Sequence, residues 1–290
     1  MGRLAVISDL HADINSFDEE LALLRNYLLE EQVDHVHFAG DLANHVSQAL
    51  TIVDFFTEKI PTTFHWGNHE MADIHQPEDF ENFNYPAFLN FKTKDLSEDT
   101  LLLAFNGWYD YSFAPQLETK EIQRKKQIYW YDRWINRRKT DRQITDDVCQ
   151  RLTQALKAIP SHKKIFVSTH FVPQSAFIVH FSNEYARWNQ LNAFLGSQQI
   201  GDALAEFPNV KQVIFGHTHH RFDQKKIASA YYHCRPIGYY YEWDLTYQFT
   251  QEKNPSQARK VARRNWQEFS DYKKQNILTE FKKSVVLLDY

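Results

Sequence analysis

Apolar and polar positions along the chain keep two rhythms. Short runs that read as strands, at residues 4–8, 35–39, 62–65, 101–105, 164–168 and 210–215, alternate with stretches whose apolar residues return every three or four positions. Phe17, Leu21, Leu24, Leu28 and Leu29 predict an amphipathic helix over 14–31. A second helix spans 46–58 and leads through Pro61 into the next strand. Residues 77–94 read as irregular, exposed chain. A helical, strongly basic stretch covers 118–139, with Arg124, Lys125, Lys126, Arg133, Arg137, Arg138 and Lys139, and a further helix over 146–158 stops at Pro160. Residues 171–196 form an aromatic-rich loop and helix. Strands are expected at 230–233 and 239–243, a charged helix at 254–272 and a last buried strand at 285–288.

The strand–helix–strand–helix–strand order at the start of the chain argues for an α/β domain whose sheet begins parallel. Such folds place their sites at the carboxyl ends of the strands, and polar residues collect there. Val6-Ile7-Ser8-Asp9-Leu10-His11 runs from an apolar strand into a turn carrying a carboxylate and an imidazole two residues apart, on one side of the strand end. A hard oxygen ligand beside a borderline nitrogen ligand suits Zn, Mn or Fe. Gly40-Asp41, Gly67-Asn68-His69-Glu70, His170 and Gly216-His217-Thr218-His219 end four later strands. Glycine is scarce, 8 residues in all, yet Gly40, Gly67 and Gly216 immediately precede candidate ligands. That placement predicts tight turns where backbone closely approaches another group.

Composition changes the picture only at the edges. A length of 290 residues with 43% hydrophobic content supports a sizeable core, and no repeat or linker divides the chain, so 1–290 reads as one domain. Residues 108–160 read as a helical, partly basic insertion within it, a possible lid. A net charge of −4 with mixed signs argues against a nucleic-acid platform. Cys149 and Cys234 stand far apart, in neither metal-like nor redox-like spacing, and read as free thiols of a reducing, cytoplasmic compartment. No signal peptide opens the chain and no apolar run reaches the ~18 residues of a membrane span, so neither export nor a membrane role is expected. Oligomeric state is not legible.

Taken in order, D-x-H, G-D, G-N-H-[DE], H and G-H-x-H resemble the motif set of the calcineurin-like metallophosphoesterases. The resemblance runs from residue 4 to about 240. Single motifs are unspecific, since Gly-Asp and Gly-Asn are ordinary turn pairs, but the ordered set is not. The resemblance implies a four-layer αββα sandwich and two divalent ions, of Mn, Fe or Zn. It implies that Asp9, His11 and His219 hold one ion, that Asn68, His170 and His217 hold the other, and that Asp41 bridges both. His69 would then be no ligand but the catalytic group that protonates or stabilises the leaving oxygen. Two ions about 3.5–4 Å apart clamp the oxygens of an in-line displacement and lower the pKa of a shared water, so that a bridging hydroxide attacks directly. Two aspartates leave the site cationic, as a phosphate requires.

Departures narrow the substrate. The protein serine/threonine phosphatases of this family carry Asp and Arg after the bridging Asp and Arg before Gly-Asn-His. Here Asn44, His45 and Trp66 stand at those positions, so the bidentate arginine grips are missing. Asn44 supplies no negative charge to His69. A small phosphoester or nucleotide is expected in place of a folded phosphoprotein. His45, Trp108, Tyr109 and Arg235 are candidate substrate contacts, the two aromatics as part of a stacking rim, against which core and inter-helix packing is the preferred reading of that loop. The same cluster would serve a phosphodiesterase or nucleotide pyrophosphatase. A catalytically silent scaffold or a metal-dependent nucleotide sensor is the reading outside the enzyme class, against which His69 argues.

Overall fold

Alternation along one strand sets up the layers. In the computed structural model, which describes residues 2–290, strand β1 (Arg3–Ile7) turns Leu4 and Val6 to one side and Ala5 and Ile7 to the other. It leads through α1 (Glu19–Glu30) to β2 (His35–Ala39), through α2 (Val46–Thr57) to β3 (Thr62–His65), and then to a short helix α3 (Asn68–Asp73). The helical turn α4 (Asp79–Asn82) precedes an edge strand β4 (Lys92–Asp95) and β5 (Thr100–Phe105). Helix α5 (Thr119–Tyr129), a 3₁₀ turn at Tyr131–Trp134 and α6 (Asp141–Ala158) lead to β6 (Lys164–Thr169). A 3₁₀ run at Asn183–Phe194 and α7 (Gln198–Ala205) precede β7 (Val210–Phe215). Strands β8 (Lys225–Ile227) and β9 (Ala230–Cys234) follow. A 3₁₀ turn at Tyr240–Glu242, helices α8 (Asp244–Thr250), α9 (Pro255–Arg264) and α10 (Trp266–Ser284), and β10 (Val286–Asp289) complete the chain.

Two sheets result. One has the order β10-β1-β2-β3, the other β4-β5-β6-β7-β9-β8. Strands β1, β2 and β3 are parallel, as are β5, β6, β7 and β9, and the antiparallel strands β10, β4 and β8 lie at sheet edges. Leu4, Val6, Leu102, Ala104, Phe166, Ile214, Val286 and Leu288 pack between the sheets. Helices α1, α2 and α10 cover the outer face of the first sheet through Leu24, Leu28, Ile52, Val53, Phe56, Ile277 and Phe281. Helices α6 and α7 cover the second through Val148, Leu152, Leu156, Ile200 and Leu204. This is the αββα sandwich that the motif order implied.

One part of the inner layer is polar. On β2 and β3 the inward positions are His35, His37, Thr63 and His65. Thr63 Oγ1 bonds both His35 Nε2 (2.8 Å) and His37 Nδ1 (2.9 Å), and His65 Nε2 meets Ser168 Oγ of β6 at 3.1 Å. All five are buried.

Several expected elements differ. Residues 77–94 are not simply exposed chain. Phe80, Phe88, Leu89 and Asn90 are buried there, and the stretch supplies β4, whose all-polar sequence KTKD gave no strand signal. The helix expected over 118–139 ends at Tyr129, because Trp130 turns to extended backbone. Helix α6 starts at Asp141, five residues before the expected Asp146, capped by the Thr140 hydroxyl. It is the crossover helix between β5 and β6, so only the chain ahead of it lies outside the layered core. Residues 239–243 form no strand but a 3₁₀ turn, and the helix expected over 254–272 breaks at Asn265, with its second half running on to Ser284. Among the described residues no helix is long and apolar enough to cross a membrane, and both cysteines are free.

Candidate metal centre

The loops after β1, β2, β3, β6 and β7 meet at one point between the two sheets. They are bonded to one another through the backbone: Asp9 N–H donates to Gly40 O (3.1 Å), His11 N–H to Asp41 O (2.9 Å) and Gly216 N–H to His170 O (3.1 Å). The close packing explains the glycines. Gly40 adopts φ +83°, and a Cβ there would stand 2.6 Å from Gly67 N and 2.7 Å from His170 Nδ1. A Cβ on Gly67 or Gly216 would strike the carboxylates of Asp41 or Asp9. Five of the polar strand-end residues hold left-handed backbone, Asp9, His11, Asp41, His217 and His219, with φ between 41° and 69°. Asp and His tolerate this region better than most residues, and such conformations cluster at functional sites.

Two groups of side chains could hold ions. Asp9, His11, Asp41 and His219 present ligand atoms within 4.8 Å of one another, as do Asp41, His170 and His217, so that Asp41 belongs to both. Asn68 Oδ1 lies 3.1 Å from His170 Nε2, which adds it to the second group. Asp41 Oδ2 stands 3.3 Å from His170 Nε2, 3.7 Å from His11 Nε2 and 3.9 Å from His69 Nε2.

The outward bonds of the rings decide which nitrogens face inward. His170 Nδ1–H donates to Ala39 O (3.0 Å), His217 Nε2–H to Phe194 O (3.2 Å) and His219 Nδ1–H to the Glu242 carboxylate (2.9 Å). A neutral imidazole has one proton to give. His217 Nδ1 and His170 Nε2 therefore face each other at 3.1 Å with lone pairs on both, and His11 Nε2 lies 3.0 Å from His219 Nε2. Lone pairs at this distance repel unless a proton or a metal ion lies between them. Two ligands about 2.1 Å from one ion and at right angles to each other stand about 3.0 Å apart, so the spacing fits a shared divalent ion.

Charge agrees with this. Burial alone would raise the Asp41 carboxyl, but the facing rings of His170, His69 and His11 hold it well below the usual carboxylate range. Burial alone would lower His170 and His219. The Asp41 and Asp9 carboxylates push His170 up to about 9, and Glu242 and Asp9 push His219 up to about 10. The cluster calls for positive charge, which protons or metal ions can supply.

Other residues hold this arrangement. Buried Glu70 accepts backbone N–H bonds from Asp41, Ala43 and Gly67 at 3.0–3.1 Å, as well as from Leu42, and so ties the β2 loop to the β3 loop. His69 Nδ1–H donates to Asn44 Oδ1 (2.6 Å), and Asn44 is held in turn by Asp13. Asn44 orients the ring without a charge of its own, and the carboxylate stands one residue further back. His69 Nε2 points to the cluster and meets the Tyr239 hydroxyl at 3.1 Å. Tyr239 packs edge-on against His219 and tilted against His11.

The 3₁₀ turn after α5 closes one side. Asp132 accepts from Asn68 Nδ2 (2.8 Å) and Trp130 Nε1 (2.9 Å), leaving Asn68 Oδ1 to face His170. Tyr131 stacks on His69 with centroids 4.2 Å apart and an interplanar angle of 13°. Trp130 packs edge-on near His217. No motif pointed to Asp132, Tyr131, Tyr239 or Glu242, because their contacts depend on long loops that return to the site.

The four candidate substrate contacts fare differently. Trp108 and Tyr109 are completely buried, stacked on each other and against Phe171, with Trp108 Nε1 bonded to Asp141. They have no surface to offer a substrate, so at these two residues the loop is core packing and not a stacking rim. His45 caps α2 from outside and pairs with Asp73 at 3.1 Å. Arg235 is exposed beyond the end of β9 and makes none of the contacts described above.

Residues 2–221 match the family model of the calcineurin-like phosphoesterases, and the chain belongs to that family. No curated protein matches the sequence. Among solved structures, the fold is similar to that of a phosphopantetheinyl hydrolase from Mycobacterium tuberculosis, with a TM-score of 0.63 at 14% identity over 88% of this chain and 94% of the other. A dimetal phosphatase from Danio rerio also matches, with a TM-score of 0.47 at 14% identity over 81% of this chain and 87% of the other.

Proposed function

We propose that this phosphoesterase is a dinuclear-metal hydrolase of a small phosphoester or nucleotide, with Asp9, His11, Asp41, Asn68, His170, His217 and His219 as ligands and His69 as the leaving-group acid. The observation that carries the reading is that two pairs of imidazole nitrogens face each other on either side of one shared carboxylate, at spacings that fit a shared divalent ion. Divalent ions, when bound, neutralise the phosphate and make a nucleophile available at neutral pH.

The chain's own part is positional. Glu70, Gly40 and Gly67 fix the loops that carry Asp41 and Asn68, and Gly216 packs against Asp9. The outward bonds of His170, His217 and His219 hold each ring in one tautomer. His69, fixed by Asn44 at Nδ1, offers Nε2 on the open side of the cluster. Once protonated there, it can pass that proton to the departing oxygen. Burial lowers the pKa of His69, which favours release of that proton and also the neutral ring at rest. A scaffold or sensor has no use for an oriented acid beside the metal ligands, which favours the enzyme reading.

Metal analysis of the purified protein, with p-nitrophenyl phosphate and bis-p-nitrophenyl phosphate assayed side by side under Mn supplementation, tests this. About two ions per chain and turnover of either ester are expected, and the ratio of the two rates chooses between monoesterase and diesterase. A metal-free, inert protein after reconstitution would sink the reading.

A further inference from the structure

A cleft of 430 Å³ opens on the acid side of the site. It is lined by Asn44, His69, Tyr131, Tyr239, Tyr241 and, from α9, Arg259 and Arg263. Its volume is in the range that small ligands occupy. The walls are of two kinds. Tyr131 lies flat on His69, and Tyr239 and Tyr241 stand 5.3 Å apart at 33°. These three rings are half-buried. The far wall is cationic. Helix α9 buries Ala258 and Ala262 and turns its arginines outward, where the Arg259 guanidinium lies 4.8 Å over the Tyr241 ring. Among the described residues neither Arg259 nor Arg263 has a carboxylate partner, and both are exposed.

The position of His69 gives this cleft its direction. In hydrolysis the oxygen of water bonds to phosphorus, the P–O bond to the alcohol breaks with its electron pair staying on oxygen, and His69 Nε2 gives that oxygen its proton. The alcohol must therefore lie on the side of His69, in the cleft. We infer that Tyr131, Tyr239 and Tyr241 with Arg259 and Arg263 form a leaving-group subsite for an alcohol that joins a flat ring to a second phosphate. Nucleoside bisphosphates are the simplest members of that class. Aromatic edges and faces receive the ring, and two unpaired guanidinium groups receive the phosphate in bidentate fashion. This assignment rests on His69 acting as the acid.

Steady-state kinetics on the Mn-loaded enzyme test it with adenosine 3′,5′-bisphosphate, adenosine 5′-monophosphate and p-nitrophenyl phosphate. The bisphosphate should exceed the monophosphate in kcat/KM by about tenfold or more. The double variant Arg259→Gln/Arg263→Gln should erase that ratio. Lys260→Gln/Arg264→Gln removes the same charge from the same helix outside the cleft and should preserve the ratio. Equal kcat/KM for bisphosphate and monophosphate, with p-nitrophenyl phosphate still turned over, overturns the subsite while the phosphoesterase reading stands. If nothing is turned over, equilibrium dialysis of the bisphosphate against the metal-free protein decides separately. Binding weakened by the Arg259/Arg263 variant and not by the other supports the subsite, and binding unaffected by either overturns it.

Discussion

Asp132 and Tyr239 act through their neighbours. Asp132 holds the amide of Asn68 so that its carbonyl oxygen faces His170. Second-layer partners of this kind are typically worth ~10–100-fold in metal affinity. Asp132→Ala should therefore lose about that much affinity at one of the two sites, read by competition with a chelator. Asp132→Asn, which keeps one acceptor, should recover part of it. Unchanged affinity in the Ala variant would remove Asp132 from the metal centre. Tyr239 meets the nitrogen with which His69 would serve the leaving oxygen. Tyr239→Phe should slow hydrolysis of an alkyl phosphate by about tenfold and p-nitrophenyl phosphate much less, since p-nitrophenolate departs without a proton. Equal losses on both esters would deny the hydroxyl a part in proton delivery.

At the scale of elements, the strands and their endings were the legible part. Apolar runs of four to six residues announce themselves, and Asp9, Asp41, His170 and His217 stand within a few residues of the strand ends. Glycine scarcity pointed to the turns that pack against the ligands, and Gly40 is the sharpest case. Its left-handed φ and the contacts awaiting a Cβ predict that Gly40→Ala loses about 3 kcal/mol or more of unfolding free energy, measured in urea. A loss under 1 kcal/mol would mean that the loops yield more easily than their packing suggests. What stayed hidden was set by tertiary contact. Strand β4 has no apolar side chain and exists only by pairing with β5. Residues 239–243 have the aromatic content of a strand, yet Asn15 takes the Tyr240 N–H and Glu242 the Tyr239 N–H, which leaves nothing for a ladder. For Trp108 and Tyr109 a binding rim stayed open beside core packing, because composition cannot tell a buried aromatic loop from an exposed one.

For the whole molecule, the inter-sheet layer makes stability depend on pH. Burial lowers His35 to about 4 and His65 to about 3, and His37 falls well below its usual value, with burial the largest cause in each. A folded pKa below the unfolded value of about 6.5 means that the unfolded chain binds the proton first. The stabilisation is whole above pH ~6.5 and is lost as pH falls, down to about 4 for His35 and about 3 for His65. Each ring contributes up to about 1.4 kcal/mol per pH unit. Urea midpoints should drop steeply between pH 6.5 and 4.5, and His37→Leu should reduce that slope whatever it does at pH 7. A flat profile would mean that the rings are charged and paired in the folded protein.

The turn at Tyr131–Trp134 belongs to a connection between β5 and β6 that could be taken for an ornament, yet Asp132 and Tyr131 touch Asn68 and His69, and Trp130 just ahead of them touches His217. Ordering of that turn and occupancy of the centre are then two faces of one equilibrium. Whatever free energy the ions gain from a well-held Asn68, the turn gains from the ions. Amide hydrogens of residues 130–134 should exchange more slowly when the protein is loaded with Mn than when it is stripped. The segment would thus report metal occupancy to anything able to sense its motion.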